Sequence, residues 1–376
     1  MRVCYFGTYR QEYSRNQIMI EGLRQAGMDV VECHETLWSG IEDRVQAASG
    51  GWLRPAFIWR VVCTYWHLLQ HYRRVGDYDI MVVGYPGQFD VFLARLLTWL
   101  RRKPLVWDIF MSIYLIALER RLDQHSRSTI GALRGVEWLA CRLPDRLILD
   151  TAEYVAWFGR TYDVAAERFR LVPTGADDRV YRPVEVTRSG DDPFRVMYFG
   201  TYIPNHGVQN IIEAARLLRG KPQLEFELVG DGPERETAQK LAASYGLVNI
   251  SFVAWLDQPA LVARAAHADL ILGAFGSTPQ SVMTVQNKIY AALAMAKPVV
   301  TGDSPAVRQA LIHGEHVYLC ERENPRSLAE AICNLQNDAT LRARLATGGR
   351  KLFTTQFDLL HVGQRFARHL DELAHR

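Results

Sequence analysis

The residues that most constrain chemistry are Asn287 and Lys288, which introduce the run Ile289-Tyr290-Ala291-Ala292-Leu293-Ala294. An almost wholly apolar run of helical length has to be buried, so its amino end points into protein or into a cleft. A lysine there faces the positive pole of the helix, which is unfavourable unless an anion lies between them. A diphosphate supplies such an anion. The other reading is a lysine whose stem follows the apolar surface and carries the ammonium out to water. Asn287 and Ser304 also read as helix caps.

Two further stretches fit phosphate. Gly200-Thr201-Tyr202-Ile203-Pro204-Asn205-His206-Gly207 joins a strand pattern to a helix pattern. Glycines let backbone approach phosphate, and a helix start favours an anion. His206 reads either as a phosphate contact or as an exposed loop histidine. Val229-Gly230-Asp231-Gly232-Pro233 ends another strand, with Pro233 placed to open a helix; a Gly-x-Gly is also an ordinary turn.

Nearer the start, Trp107-Asp108-Ile109-Phe110-Met111-Ser112 follows a strand. Asp108 and Ser112 are the candidate catalytic residues. Asp108 could orient an acceptor hydroxyl or act electrostatically, or equally cap the next helix. Gly7 and Thr8 form a glycine turn and, with Arg15, are candidate binding residues; Ser14-Arg15-Asn16 opens a helix beside the turn. Arg15 reads as a contact for phosphate or acceptor, or as a solvated arginine on a capped helix.

The elements that must position these groups alternate. Strand patterns at 2–6, 29–33, 80–83, 105–108, 146–150 and 169–172 are separated by helical patterns such as 16–26 and 91–100. That alternation predicts a parallel sheet with helices on both faces. A polar segment, 182–193, reads as a linker, and the pattern then restarts. Arg195-Val196-Met197-Tyr198-Phe199-Gly200-Thr201-Tyr202 echoes Arg2-Val3-Cys4-Tyr5-Phe6-Gly7-Thr8-Tyr9. Two similarly built Rossmann-like α/β domains are expected, 1–183 and 194–356, their parallel sheets facing a central cleft.

With 376 residues, 48% hydrophobic and 23% charged, the chain suits two soluble domains. A net charge of +3 gives no reason to expect nucleic acid as a partner. The six cysteines are scattered singly without metal or redox spacing, and they read as reduced thiols. Met1 leads straight into a strand and no apolar run is long enough to span a bilayer, so a cytoplasmic location is expected.

Taken together, these segments resemble glycosyltransferase family four, retaining enzymes of GT-B architecture. The strongest stretch is 287–301; 199–207, 229–233 and Val172-Pro173-Thr174-Gly175-Ala176-Asp177 add to it. The resemblance implies transfer of a hexosyl unit from a nucleoside diphosphate sugar to a glycan or lipid-linked acceptor, without metal or other cofactor. It implies donor contacts from Gly200, Thr201, Tyr202, His206, Gly207, Asn287 and Lys288 at the diphosphate, and from Gly230, Asp231 and Val253 toward the base. It also implies that residues 357–376 cross back to the first domain. Where the family often has two glutamates, this chain has Met283 and Ala291. A catalytically silent nucleotide-sugar binder and a membrane-associated assembly protein are the other two readings.

Residues 51–104 combine Trp52, Phe57, Trp59, Tyr65, Trp66 and Trp99 with eight basic and three acidic residues. This composition fits peripheral attachment to an anionic membrane surface. It also fits core-facing helices with solvated arginines.

Overall fold

The computed structural model describes residues 1–37, 55–120, 127–187, 192–221 and 223–374. Trp52 and the middle of the polar segment, 188–191, lie outside them. The chain divides into two units: Met1–Pro173 with Leu359–Arg376, and Thr174–Asp358.

In unit 1 the strands are β1 (Arg2–Gly7), β2 (Asp29–His34), β3 (Ile80–Val83), β4 (Leu105–Asp108), β5 (Arg146–Leu149) and β6 (Phe169–Leu171). They form one sheet ordered β2-β1-β3-β4-β5-β6, and all its pairs are parallel. Strands covered on both faces must be apolar throughout. Ile80-Met81-Val82-Val83 meets that demand with four buried residues. The helices are α1 (Ser14–Gln25), α2 (Pro55–Arg74), α3 (Asp90–Arg101), α4 (Ile113–Glu119), α5 (Arg127–Ala140) and α6 (Ala152–Tyr162).

Unit 2 repeats the plan with β7 (Phe194–Phe199), β8 (Leu224–Val229), β9 (Ile250–Val253), β10 (Leu270–Leu272), β11 (Val299–Gly302) and β12 (Tyr318–Cys320), ordered β12-β11-β10-β7-β8-β9. All its pairs are parallel too. Its helices are α7 (Val208–Leu217), α8 (Arg235–Ser244), α9 (Gln258–Ala266), α10 (Pro279–Met283), α11 (Asn287–Ala294), α12 (Pro305–Ala310), α13 (Pro325–Asn337) and α14 (Ala339–Gln356). Several begin on side-chain caps that satisfy otherwise free N–H groups. Ser304 accepts from the Val307 amide at 3.3 Å and Asp257 from the Ala260 amide at 2.8 Å.

A last helix, α15 (Leu359–Ala374), belongs to unit 1 and packs on α1. It buries Leu359, Val362, Phe366 and Leu370, one face of the helix. The two helices approach closely because glycines meet: a Cβ on Gly363 would lie 1.8 Å from the Gly22 carbonyl oxygen.

The division falls at Pro173–Thr174, ahead of the polar segment at 182–193. The cause is packing. Ala176 is buried in the unit 2 core with Val180 and Tyr181 against it, and its amide donates to the Phe357 carbonyl at 3.2 Å. Residues 174–183 therefore go with unit 2, and the polar composition marks only the exposed part of the connection.

Candidate functional site

In unit 2 the strand order reverses direction between β7 and β10, which are adjacent. Open parallel sheets bind ligands beyond the carboxyl ends of their strands at such a switch point. The loops that follow β7, β8 and β10 meet there and lock together. Gly200 has φ 137° and donates to the Val229 carbonyl at 3.0 Å. Gly230 lies so close that a Cβ would be 2.0 Å from the Gly200 oxygen. Tyr202 donates to the Asp231 carbonyl at 2.9 Å, and Phe275 to the His206 carbonyl at 2.9 Å. Gly207, at φ 61°, sits against the Gly276 amide. Ser281 completes the lock by donating from its hydroxyl to the Asn205 carbonyl at 2.6 Å.

Lys288 enters this knot as the second residue of α11, whose residues 288–294 are all buried. The lysine is 6% exposed, so it does not snorkel to solvent. Its Nζ lies 3.9 Å over the Tyr198 ring, and a Cβ on Gly200 would fall 2.9 Å from it. The ring face attracts the cation but accepts none of its three N–H bonds in the ordinary way. Nζ has no hydrogen-bond partner among the described residues. Burial holds its pKa well below the usual lysine value. An isolated ammonium in such a place costs several kcal/mol unless an anion meets it.

His206 has a bracing geometry. Its Nδ1 lies 2.6 Å from the Thr201 carbonyl oxygen and 2.9 Å from the Tyr198 hydroxyl, which itself donates to Thr201 at 2.9 Å. A carbonyl only accepts, so Nδ1 carries the hydrogen in that contact. Burial, and then the neighbouring Lys288, hold His206 well below its ordinary pKa, so it adds no second cation at neutral pH.

The other expected donor contacts are distributed around the knot. Asp231 is exposed and accepts from the Gly232 amide at 2.8 Å. Val253 ends β9 and is partly buried. Asn287 is the first residue of α11; the cap position is held by Gln286 without a side-chain bond. Met283 and Ala291 are both buried. Arg322, which sequence reasoning missed, secures the loop after β10 through its Nη1, 2.9 Å from the Ser281 hydroxyl. Nothing in the spacing of residues 281 and 322 announces that contact.

Unit 1 corrects the expectations placed on it. Gly7 has φ 138°, as Gly200 has 137°, but its turn is already filled by the Asp90 carboxylate. That group accepts from the Thr8 amide at 2.7 Å, from the Thr8 hydroxyl at 3.0 Å and from the Tyr65 hydroxyl at 2.7 Å. Gly7 and Thr8 therefore hold an internal anion. Arg15 and Asp108 are each fully buried and bonded to one another, Nε to Oδ2 at 2.9 Å and Nη2 to Oδ1 at 2.8 Å. Nη1 of Arg15 donates to the Val172 carbonyl at 2.9 Å. Neither is presented to a ligand, and Asp108 does not cap a helix.

Ser112 is the cap of α4, accepting from the Leu115 amide at 3.0 Å, and its hydroxyl donates to Glu137. Glu137 is fully buried and also accepts from Tyr162 at 2.6 Å and the Ile113 amide at 3.0 Å. Ser112 is thus a structural hydroxyl, without a base beside it that is open to solvent. A lone acid in Gly135-Val136-Glu137-Trp138-Leu139 was the available sign of that buried carboxylate.

Comparisons with known proteins agree with this architecture. Residues 193–338 match the profile of Glycosyl transferases group 1. The lipopolysaccharide core biosynthesis glycosyltransferase LpsD of Rhizobium meliloti is 25% identical over 231 residues, 61% of this chain and 62% of that protein. The chain thus spans less than two thirds of that relative. Alpha-D-kanosaminyltransferase of Streptomyces kanamyceticus is 25% identical over 73% of this chain and 72% of its own. Sucrose-phosphate synthase from Thermosynechococcus elongatus superposes with a TM-score of 0.74 at 16% identity, covering 99% of each chain. The HepE protein of Anabaena, solved with UDP and glucose, gives 0.68 at 18% identity over 99% of this chain and all of its own. The fold is that of the GT-B glycosyltransferases, and most of the second unit matches the group 1 glycosyltransferase profile.

Proposed function

We propose that the protein is a glycosyltransferase that binds a nucleoside diphosphate sugar at the switch point of unit 2 and passes a hexosyl unit, with retention, to a glycan or lipid-linked acceptor. The observation that carries the donor site is Lys288, a buried lysine whose amino group has no hydrogen-bond partner among the described residues, at the amino end of a buried helix. The diphosphate is the anion that meets it, with the helix pole adding to the attraction. Gly200 admits the phosphate close to backbone, and His206 and Tyr198 brace the loop around it. Asp231 and Val253 stand at the ends of the neighbouring strands, on the side assigned to the base. The two relatives described above are sugar transferases by name, which supports the reaction class.

The test is a screen of nucleoside diphosphate sugars by thermal melting, followed by incubation of the best donor with glycan and lipid-linked acceptors. A ligand present at 100 times its Kd should add about 2.7 kcal/mol of apparent stability. Product carrying the sugar with the donor's anomeric configuration is the expected result. No stabilisation by any donor would overturn the donor site. A second reading, a nucleotide-sugar binder without transfer, has one observation in its favour: Asp108 and Ser112, the expected catalytic residues, are both engaged inside unit 1. Donor binding with no transfer to any acceptor would select it.

A further inference from the structure

Unit 1 carries an exposed apolar surface that the donor site does not use. On α2, Ile58, Trp59, Val62 and Trp66 are 47%, 70%, 53% and 57% exposed; on α3, Leu96, Trp99 and Leu100 are 53%, 70% and 66% exposed. Trp59, Val62 and Trp66 recur at helical spacing along one stripe of α2, and Leu96, Trp99 and Leu100 do so on α3. The helices lie side by side. The Tyr65 hydroxyl of α2 reaches Asp90 of α3 at 2.7 Å, and the Arg101 guanidinium stacks 4.6 Å from the Tyr72 ring centre.

These residues are not core residues facing the wrong way. Each helix has already seated its inner face, Thr64, Leu68 and Tyr72 on α2 and Val91, Ala94, Leu97 and Thr98 on α3. What remains is an outward face on which tryptophan is concentrated. Scattered exposed apolar residues are ordinary, but grouped ones mark a contact.

The charge around this face is predominantly positive, with Asp77 and Asp79 as its exposed acids. Arg60, Arg73, Arg74 and Arg102 are exposed on the same two helices and their ends. Residues 55–103 hold seven basic side chains against three acids, and one of those, Asp90, is buried. We propose that this face docks on an anionic lipid bilayer. Indole rings favour the headgroup boundary, where an apolar body meets a wet edge. Arginines beside them are drawn to the negative surface of an anionic bilayer. Among the described residues no helix is long and apolar enough to cross a membrane, so this contact lies on the surface of the bilayer.

The test is co-sedimentation of the whole chain with vesicles of phosphatidylcholine alone and of phosphatidylcholine mixed with phosphatidylglycerol. The expected result is binding to the mixed vesicles, weakened by salt, with little binding to the neutral ones. Combining Trp59→Ser, Trp66→Ser and Trp99→Ser should lower the partition coefficient on mixed vesicles at least about tenfold, since surface affinity scales with inserted apolar area. Combining Arg73→Glu, Arg74→Glu and Arg102→Glu should do the same. Melting temperature and nucleoside diphosphate affinity, which involve none of these residues, should stay unchanged in both variants and show that they fold. Equal binding to neutral and anionic vesicles, or full binding by the serine variant, would overturn the proposal. So would a dimer of the wild type that the serine variant dissolves, with no vesicle binding by either. Because the donor site plays no part, these outcomes stand apart from the fate of the proposed reaction.

Discussion

Each unit buries one cation at the second position of a helix beside a glycine turn, and the two cations have opposite circumstances. Arg15 in unit 1 is matched by Asp108 and the Val172 carbonyl. Burial is the largest influence and lowers its pKa, but the charge and hydrogen bonds of Asp108 together with the nearby Asp150 outweigh it, and the net shift is upward. Among the described residues Lys288 in unit 2 meets an aromatic face and no hydrogen-bond partner, and its pKa falls. The turns differ in the same way. The sequence Tyr-Phe-Gly-Thr-Tyr folds alike in both, with edge-to-face tyrosine pairs at 5.1 Å and 5.8 Å. In unit 1 the turn encloses the Asp90 carboxylate, and in unit 2 it faces an ammonium. One motif thus serves as a closed structural corner in one unit and, in the proposed donor site, as a receptor for the diphosphate in the other.

The comparison can be broken most severely at Asp90. Replacing it with alanine leaves the Thr8 amide, the Thr8 hydroxyl and the Tyr65 hydroxyl without their acceptor. The expected loss is about 3 kcal/mol or more, read by urea denaturation of the transition that reports unit 1. Nucleoside diphosphate affinity should not change. If the affinity fell while unit 1 kept its stability, the two turns would have exchanged roles.

Lys288→Met should have the opposite sign. It removes an unmatched buried ammonium and keeps the packing, so the ligand-free protein should gain about 1–2 kcal/mol near neutral pH. A folded-state pKa below the unfolded one means that the charged lysine is a cost at every pH under the folded pKa. The cost diminishes as pH rises through the folded pKa and disappears above the unfolded one. The gain in melting temperature should therefore shrink in alkaline buffer. A loss of stability at neutral pH would show that Lys288 has a partner of its own.

Asp150 tests how completely unit 1 balances its charges. Burial raises its carboxyl to about 7 despite the neighbouring Arg15, and one of its oxygens has no hydrogen-bond partner among the described residues. A raised carboxylate pKa contributes stability that is present at low pH and is lost as pH rises from the unfolded value near 4 to about 7. Asp150→Asn should be more stable than wild type at pH above 7, with the advantage shrinking as pH falls and gone below about pH 4. An advantage independent of pH would place the effect in packing.

The smallest effect is expected at Tyr198→Phe. The ring stays under Lys288, and only the hydroxyl that reaches Thr201 and His206 is lost. A loss of about 1 kcal/mol in stability, with a shift in nucleoside diphosphate affinity smaller than that of any Lys288 variant, is the expected outcome in melting and titration. A shift as large as that of a Lys288 variant would mean that the hydroxyl, not the ring, is the important contact.

The strands, the second unit's helices and the repeated turn were legible because they rest on local patterns, apolar runs and glycine positions. The burial of Lys288 was legible for the same reason: an apolar helix has to be inside, and its first turn goes with it. Arg15 presented nearly the same local sign and was read the same way, as a residue for phosphate or acceptor. What separates them is a partner, Asp108, that lies 93 residues away in the chain. Asp90 and Glu137 were invisible as partners for the same reason, since each is met by groups from distant turns. Burial follows from local sequence, whereas the pairing of buried charges depends on the fold.

The most direct measurement is calorimetric titration of wild type and Lys288→Ala with a nucleoside diphosphate and with the corresponding free nucleoside. The variant should bind the diphosphate about 1–3 kcal/mol more weakly, a factor of roughly 5 to 150. Its affinity for the nucleoside should match that of wild type. Equal losses for the two ligands, or none for the diphosphate, would contradict the assignment of Lys288 to the phosphates and with it the placement of the donor in unit 2.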